Sequence, residues 1–322
     1  GKRVPGLGLQ AAILGAEKGH PYLEKAMAFY RNNHFIQNGK WFTDLIAPDV
    51  LALIAEDFGL KYNKDIEQEL RASNYNCILC CTGYKLEDKK KYLNLLVNKK
   101  VDSVVLVGSN FISDKDEEND YIRDAARDVP ILLLNADFDC ENVYCSLCDD
   151  FKSTMQATSY ILDTGIEDIL YLYNSKSYSA MRKLSGYQSA LTQHGIALRM
   201  EYMQFFPGSH ANLPAIADFL ANLDPQIKYR AVIAADDNLA IGAIKYAHKK
   251  GLSIPDDLSV VGYNNSILST CCEPELTSVD NKLETLCHHI VSTLIGILDN
   301  RDMPQKVIFS GELIKRGTTL QK

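Results

Sequence analysis

Residues 230–265 read RAVIAADDNLAIGAIKYAHKKGLSIPDDLSVVGYNN. Two continuous apolar runs, RAVIAAD (230–236) and LSVVGYN (258–264), flank NLAIGAIKYAHKK, whose apolar residues recur at three and four. Apolar runs without alternation suit parallel strands covered on both faces. The recurrence at three and four suits an amphipathic helix. Strand, helix and strand in one stretch make a βαβ unit. The same rhythm extends outward on both sides. Strand candidates are VLALIAED (50–57), NCILCCTG (76–83), DSVVLVGS (102–109), PILLLNA (130–136), NVYCSL (142–147), DILYLYN (168–174) and KVIFSGEL (306–313), with helical patterns such as LEDKKKYLNLLVNKK (86–100) between them. Nine strands over about 270 residues exceed one small doubly wound sheet. The fold class is α/β, with two Rossmann-like lobes built on parallel sheets.

The chain has 322 residues, a length that favours two domains or lobes. Its 34 Lys and Arg against 41 Asp and Glu leave a formal charge of −7. With 46% hydrophobic and 23% charged residues there is enough apolar surface to offset chain entropy, which excludes general disorder. No apolar run approaches the roughly 20 residues of a membrane span, so no membrane partner is expected. The opening GKRVPGLGLQAAILGAEKGHPYLEKAM places glutamates and a histidine where a secretory signal needs its apolar core. A cytoplasmic location is the expectation. A pI near 5.5, with no basic cluster denser than Asp88–Lys91 and the pair Lys99–Lys100, argues against a self-sufficient grip on duplex DNA.

Nine cysteines include two C-x-x-C spacings, Cys77 to Cys80 and Cys145 to Cys148, of a kind that can hold zinc. Both lie in strand-like runs. Residues three apart there face opposite sides of a sheet, so their thiols diverge. Buried reduced thiols and a reducing compartment are expected, without a metal site.

Residues 1–48 break the rhythm. A helix is expected over about His20–Asn32, with Pro21 in its first turn. Gly6-x-Gly8 has neither a third glycine nor a preceding strand, so no phosphate loop is read there. The segment holds the single Trp, Trp41, and is too short to bury a core of its own. The expected organisation is an atypical N-terminal segment (1–48), a first lobe (49–157 plus 280–308) and a second lobe (158–279 plus 309–322).

The stretch 231–295 resembles the effector-binding domain of the LacI/GalR family of transcription regulators. That family's pattern is an apolar strand ending in Asn/Asp-Asp, a helix, G-x-x-x-P-x-D-hydrophobic-S-V-V-G-Y-D-D, and a Pro-x-Leu-Thr crossing. Here the matching residues are Asp236, Asp237, Gly251, Pro255, Asp257, SVVGYNN (259–265) and PELTSV (274–279). GELIKRGTT (311–319) is similar to the family's final strand, and residues 73–109 are similar to earlier elements. The likeness spans about residues 50–320. It implies a periplasmic-binding-protein-like fold, its lobes joined by crossover strands. It also implies a carbohydrate or related small metabolite as effector, no enzymatic activity, no cofactor, a homodimer, and operator DNA reached through a helix-turn-helix. Residues 1–48 carry no stretch matching that helix-turn-helix. Instead GLQAAILGAEKGHPYLEKAMAFYRNNHFI (8–36) is weakly similar to the distal part of sugar-nucleotide glycosyltransferases with a D-x-D motif. A glycosyltransferase-derived or fusion protein and a free-standing sugar-binding protein are therefore the alternatives.

Parallel-sheet proteins bind ligands at the carboxyl ends of their strands. The resemblance carries the effector position onto Asn264, where the family usually has Asp. An amide both donates and accepts, which suits a pair of sugar hydroxyls; the plain alternative is a turn shaped by Asn264 and Asn265. Asp236 is expected to face the ligand and Asp237 to cap the following helix. Lys183 stands where the family commonly has Arg, a point charge in place of a planar fork, with Arg182 beside it. Phe206 falls roughly where an aromatic stacks on a sugar's C–H face, or else in the core. First-lobe candidates are Phe58, Ser109, Asn110 and Asp149, with Asp150 expected to cap a helix. Asp137-Phe138-Asp139 is a nominal D-x-D of a kind common by chance, and no H-E-x-x-H or serine elbow occurs. No catalytic or metal residue is expected.

Overall fold

The computed structural model describes residues 36–37, 40–41, 61–73, 75–78, 80, 82 and 85–321. The chain forms two compact units, residues 1–92 and 93–322. Strands β1 (Ile36–Gln37) and β2 (Lys40–Trp41) pair antiparallel in the first unit. Helix α1 (Lys61–Ala72) buries Ile66 and Leu70, four apart on one face. Phe58, VLALIAED, the helix expected near residue 20 and the glycosyltransferase-like stretch up to residue 35 lie outside the described residues. The described positions of NCILCCTG (76–78, 80 and 82) are not in a strand, contrary to expectation. Residues 76–78 are exposed, so no sheet face covers them.

Helix α2 (Leu86–Asn98) leads to the second unit, where strand candidates become strands. β3 (Val104–Val107), β4 (Ile131–Leu134), β5 (Val143–Cys148) and β11 (Lys306–Phe309) form a parallel sheet in the order β11-β5-β4-β3. A second sheet has the order β12-β10-β9-β8-β6-β7. Its strands are β6 (Ile169–Tyr173), β7 (Met203–Phe205), β8 (Ala231–Ala234), β9 (Ser259–Tyr263), β10 (Thr277–Asp280) and β12 (Glu312–Ile314). All pairings in it are parallel except that of β12. The interior strands β8 and β9 are buried at every position, as continuous apolar runs between two helical layers should be.

The helices are α3 (Asp120–Ala126), α4 (Asp150–Leu162), α5 (Tyr178–Gln193), α6 (Leu213–Ala221), α7 (Asp237–Lys250) and α8 (Leu283–Leu298). Helix α4 packs with α5 and with β8, β10 and β12 of the larger sheet. Helix α8 returns to pack on β4 and β5. KVIFSGEL, expected as one strand, divides into β11 and β12 in different sheets. The break falls at Gly311, where a Cβ would come within 2.5 Å of Ser153 Oγ and 3.1 Å of the Asp280 carbonyl. β7 and β10 were not among the candidates. MQF is a three-residue edge strand and TSVD is short and mostly polar, so neither has an apolar run to announce it.

Candidate functional site

The carboxyl ends of the two sheets face each other. From the smaller sheet come Ser109 and Asn110 after β3, Asp137 after β4, and Asp149 after β5. From the larger come Ser177 beyond β6, Asp236 after β8 and Asn264 after β9. The Ser109 hydroxyl donates to Ser177 Oγ at 2.9 Å. The Tyr178 hydroxyl donates to Asp137 Oδ2 at 3.2 Å, and Lys306 pairs with the same carboxylate. These contacts span a cleft with polar strand ends on both walls. The D-x-D aspartate Asp137 is thus a structural link between the sheets.

In each Asp-Asp pair the helix cap is the first aspartate, not the second as expected. Asp236 is the helix cap: its Oδ1 accepts from the Leu239 amide at 2.8 Å. Asp149 likewise accepts from the Lys152 amide at 3.1 Å. The second aspartates are the buried ones, Asp237 at 2% exposure and Asp150 at 3%. An N-cap side chain folds over the free amides of the first turn, while side chains of the turn itself tilt back toward the helix N-terminus, here onto the sheet. Asp237 accepts from the Ser266 amide and hydroxyl, each at 2.7 Å, and from the Ser278 hydroxyl at 2.6 Å. This explains the glycine in SVVGYNN. A Cβ at Gly262 would come within 2.3 Å of Asp237 Oδ1.

Lys183 is buried at the second turn of α5. Its Nζ donates to the Ala235 carbonyl at 3.0 Å and lies 3.7 Å from the Tyr263 ring centroid. The Tyr263 hydroxyl donates to Asp150 Oδ1 at 2.5 Å. Burial raises the Tyr263 phenol well above its usual pKa and pushes the neighbouring Cys148 thiol up to about 11. A buried cation, a π face and a buried carboxylate therefore occupy one end of the cleft floor. Arg182 turns outward, its guanidinium 5.0 Å from the Phe151 ring.

Phe206 lies in the core rather than at the cleft. It is 4% exposed and packs edge-on to Phe219, 5.5 Å between centroids. Its neighbour Phe205, at the strand end, is the exposed aromatic. Asn264 and Asn265 both adopt left-handed backbone, φ 99° and 46°, as the turn reading required. The Asn265 oxygen is occupied: Oδ1 accepts from Arg316 at 2.7 Å and from Ser269 at 3.2 Å. Among the described residues, Asn264 Oδ1 accepts from Asn281 Nδ2 alone, at 3.2 Å. Ser109 and Asn110 are half-buried on a single 3-10 turn.

Two residues of this region carry no sequence signal. Asn281 lies in the plain run VDNK, and only the fold brings it beside Asn264. His210 sits on the loop between β7 and α6, its Nδ1 3.0 Å from Asp236 Oδ2. That hydrogen bond raises the His210 pKa above its ordinary value, against a smaller opposing effect of burial. The pairing is therefore complete below the ordinary histidine range and is lost as pH rises through the raised folded-state value. In D236N the His210 titration, followed by its ring proton shifts, is expected to move to lower pH; an unmoved midpoint would detach the two residues.

Cys145 and Cys148 diverge as the strand reading required. The Cys145 thiol faces the Phe138 carbonyl at 3.6 Å, and that of Cys148 faces Ser153 at 3.8 Å.

Residues 158–319 match the periplasmic binding protein-like domain, the class that this pair of parallel sheets and its facing strand ends define. An HTH-type transcriptional regulator from Lachnoclostridium phytofermentans is 48% identical over 255 residues, 79% of this chain and 76% of that protein. The chain belongs to the LacI family of transcription regulators, and the relatives it matches at this level are regulators rather than enzymes. The sugar-binding LacI-family regulator of Escherichia coli, solved with phosphate, has a TM-score of 0.70 at 24% identity, covering 83% of this chain and 95% of that one. A LacI-family regulator from Lactobacillus casei with bound sucrose also has a TM-score of 0.70, at 19% identity and 81% and 95% coverage. None of these relatives is named as a glycosyltransferase.

Proposed function

We propose that this domain takes a small carbohydrate or related metabolite between its two lobes and, as part of a regulator, passes that occupancy to operator DNA through a helix-turn-helix. The observation that carries this reading is the facing of polar strand ends from both sheets, tied by Ser109–Ser177 and Asp137–Tyr178. Asn264, Asp236, Lys183, Asp149, Ser109 and Asn110 are the proposed ligand residues. Sugar binding is supported by what the similar regulators from E. coli and L. casei are described as binding. A ligand that prefers one lobe arrangement shifts the population toward it, and that shift is the signal.

The working form is a C2 homodimer in the cytoplasm. The thiols of Cys140, Cys145, Cys148 and Cys272, none of them in a disulfide, support a reducing compartment. The exposed Leu95 on α2 and Ile267 after β9 are apolar surface of the kind a partner subunit covers. Sedimentation should give a dimer at micromolar concentration, and monomer alone would count against this assembly.

Calorimetry against a sugar panel tests the ligand reading. At least one sugar should bind, and Asn264→Ala should then cost about 1–3 kcal/mol of affinity, together with the stability lost when the buried Asn281 amide loses its acceptor. Asp236→Ala should lose affinity and also about 1 kcal/mol of stability, since that residue caps α7. An Asp236 variant that melts early but binds normally is a cap and nothing more.

A further inference from the structure

We infer that His210 is a positioning residue that holds Asp236 away from the effector, so that effector binding expels a proton and tightens as pH rises. This rests on the sugar reading above and adds a regulation to it. The Asp236 side chain is 15% exposed, and both of its oxygens are taken. Oδ1 accepts from the Leu239 amide at 2.8 Å, while Oδ2 lies 3.0 Å from His210 Nδ1. The first bond belongs to the fold, since it caps α7. The second comes from a loop. His210 is half-exposed on the segment between β7 and α6. That segment is anchored on both sides of His210. Before it, Phe206 packs on Phe219; after it, Asn212 accepts from the Ala215 amide at 3.3 Å and so caps α6. A ligand that reaches Asp236 Oδ2 therefore meets an imidazole already held there.

The proton follows from the partnership. An imidazole bonded to a carboxylate is favoured in its charged form, and the His210 pKa is raised accordingly. A sugar hydroxyl that donates to Oδ2 in its place ends that advantage. The His210 pKa then falls back toward the ordinary histidine range, and between the two values its proton passes to the buffer. Below both values the imidazolium persists in either state, and affinity is lowest. Above both values there is no ion pair to break, and affinity is highest. Among the described residues Asp236 is the one charged group acting on His210. The groups facing Asp236 itself are Tyr171 of β6 and Asp237 of α7. Burial holds the Tyr171 phenol well above its usual range, and Asp237 is engaged by Ser266 and Ser278. Lys183 of α5 bonds the adjacent Ala235 carbonyl.

The test is calorimetry on the full chain with glucose, galactose, mannose, arabinose, ribose and sucrose, from about pH 5.5 to about pH 8, where none of these sugars titrates and a histidine does. For the sugar that binds, affinity should rise about 3–10-fold across the range. Its enthalpy in buffers of different ionisation enthalpy should report release of a fraction of a proton near the middle. His210→Ala should abolish the release, flatten the rise and bind more tightly than wild type at the acid end. His210→Asn keeps a donor for Asp236 but cannot titrate, so it should flatten the rise too, and it repeats the test should the alanine variant not fold. A slope that belongs to Asp237 would persist in both variants. Wild-type affinity that does not rise with pH, a slope unchanged in both variants, or proton uptake in place of release overturns the role of His210 and leaves the sugar reading standing. Binding of no sugar in the panel at any pH overturns the sugar reading, and the role of His210 with it.

Discussion

Asp237→Ala is expected to lower folding stability by about 2–4 kcal/mol, read by denaturant titration. The loss follows from what the carboxylate holds. It gathers the Ser266 amide and hydroxyl and the Ser278 hydroxyl, and so ties the start of α7 to the turn after β9 and to β10. Alanine strands these donors in a buried site, each unmet group costing about 1–3 kcal/mol, and leaves a void beside Gly262. Asp237→Asn should be milder, about 1–2 kcal/mol, because its oxygen still accepts from Ser266 while the Ser278 hydroxyl rotates to accept from the new amide. Asp236→Ala, one residue away, should cost only about 1 kcal/mol. The order D237A, D237N, D236A is the content of the prediction. Equal losses at 236 and 237 would mean that the two aspartates share one role.

Asp150→Ala is expected to cost a similar amount, about 2–4 kcal/mol, by another route. Asp150 accepts from the Tyr263 hydroxyl, whose ring lies against the buried Lys183 ammonium. Removing the carboxylate leaves a buried phenol without an acceptor and a buried cation without its nearby negative charge. Tyr263→Phe alone should cost about 1–3 kcal/mol. The double variant D150A/Y263F should be less destabilised than the two single losses added together, because the hydrogen bond can be lost only once. Strict additivity in a denaturation cycle would show that the two side chains do not act together. Affinity for the effector should fall with these variants too, since Lys183 is held by the same cluster.

The fold was legible because its strands are continuous apolar runs: ILYLY, AVIA and SVVGY are strands within a residue or two of where periodicity put them. Short or polar strands were not, because β7 and β10 take their place from neighbours already in the sheet. Family motifs pointed to loops at the strand ends but did not tell which side chain in each caps a helix and which is buried. In both Asp-Asp pairs the sequence contains two identical side chains, and only backbone direction decides which one caps and which one turns inward. Phe206 and Phe205 pose the same problem, since alternation puts one in the core and the other at the surface. Asn281 and His210 had no local pattern at all. They reach the cleft through contacts 17 and 26 residues away along the chain, to Asn264 and Asp236.

The central claim is that one ligand is held by the strand ends of both sheets at once. Backbone amide shifts, followed by two-dimensional NMR during titration with the sugar that binds, test it most directly. Ser109, Asn110 and Asp149 on the smaller sheet should move along the same saturation curve as Lys183, Asp236 and Asn264 on the larger. Shifts confined at saturation to one sheet's strand ends, with the other sheet's unmoved, would contradict a ligand clasped between the lobes.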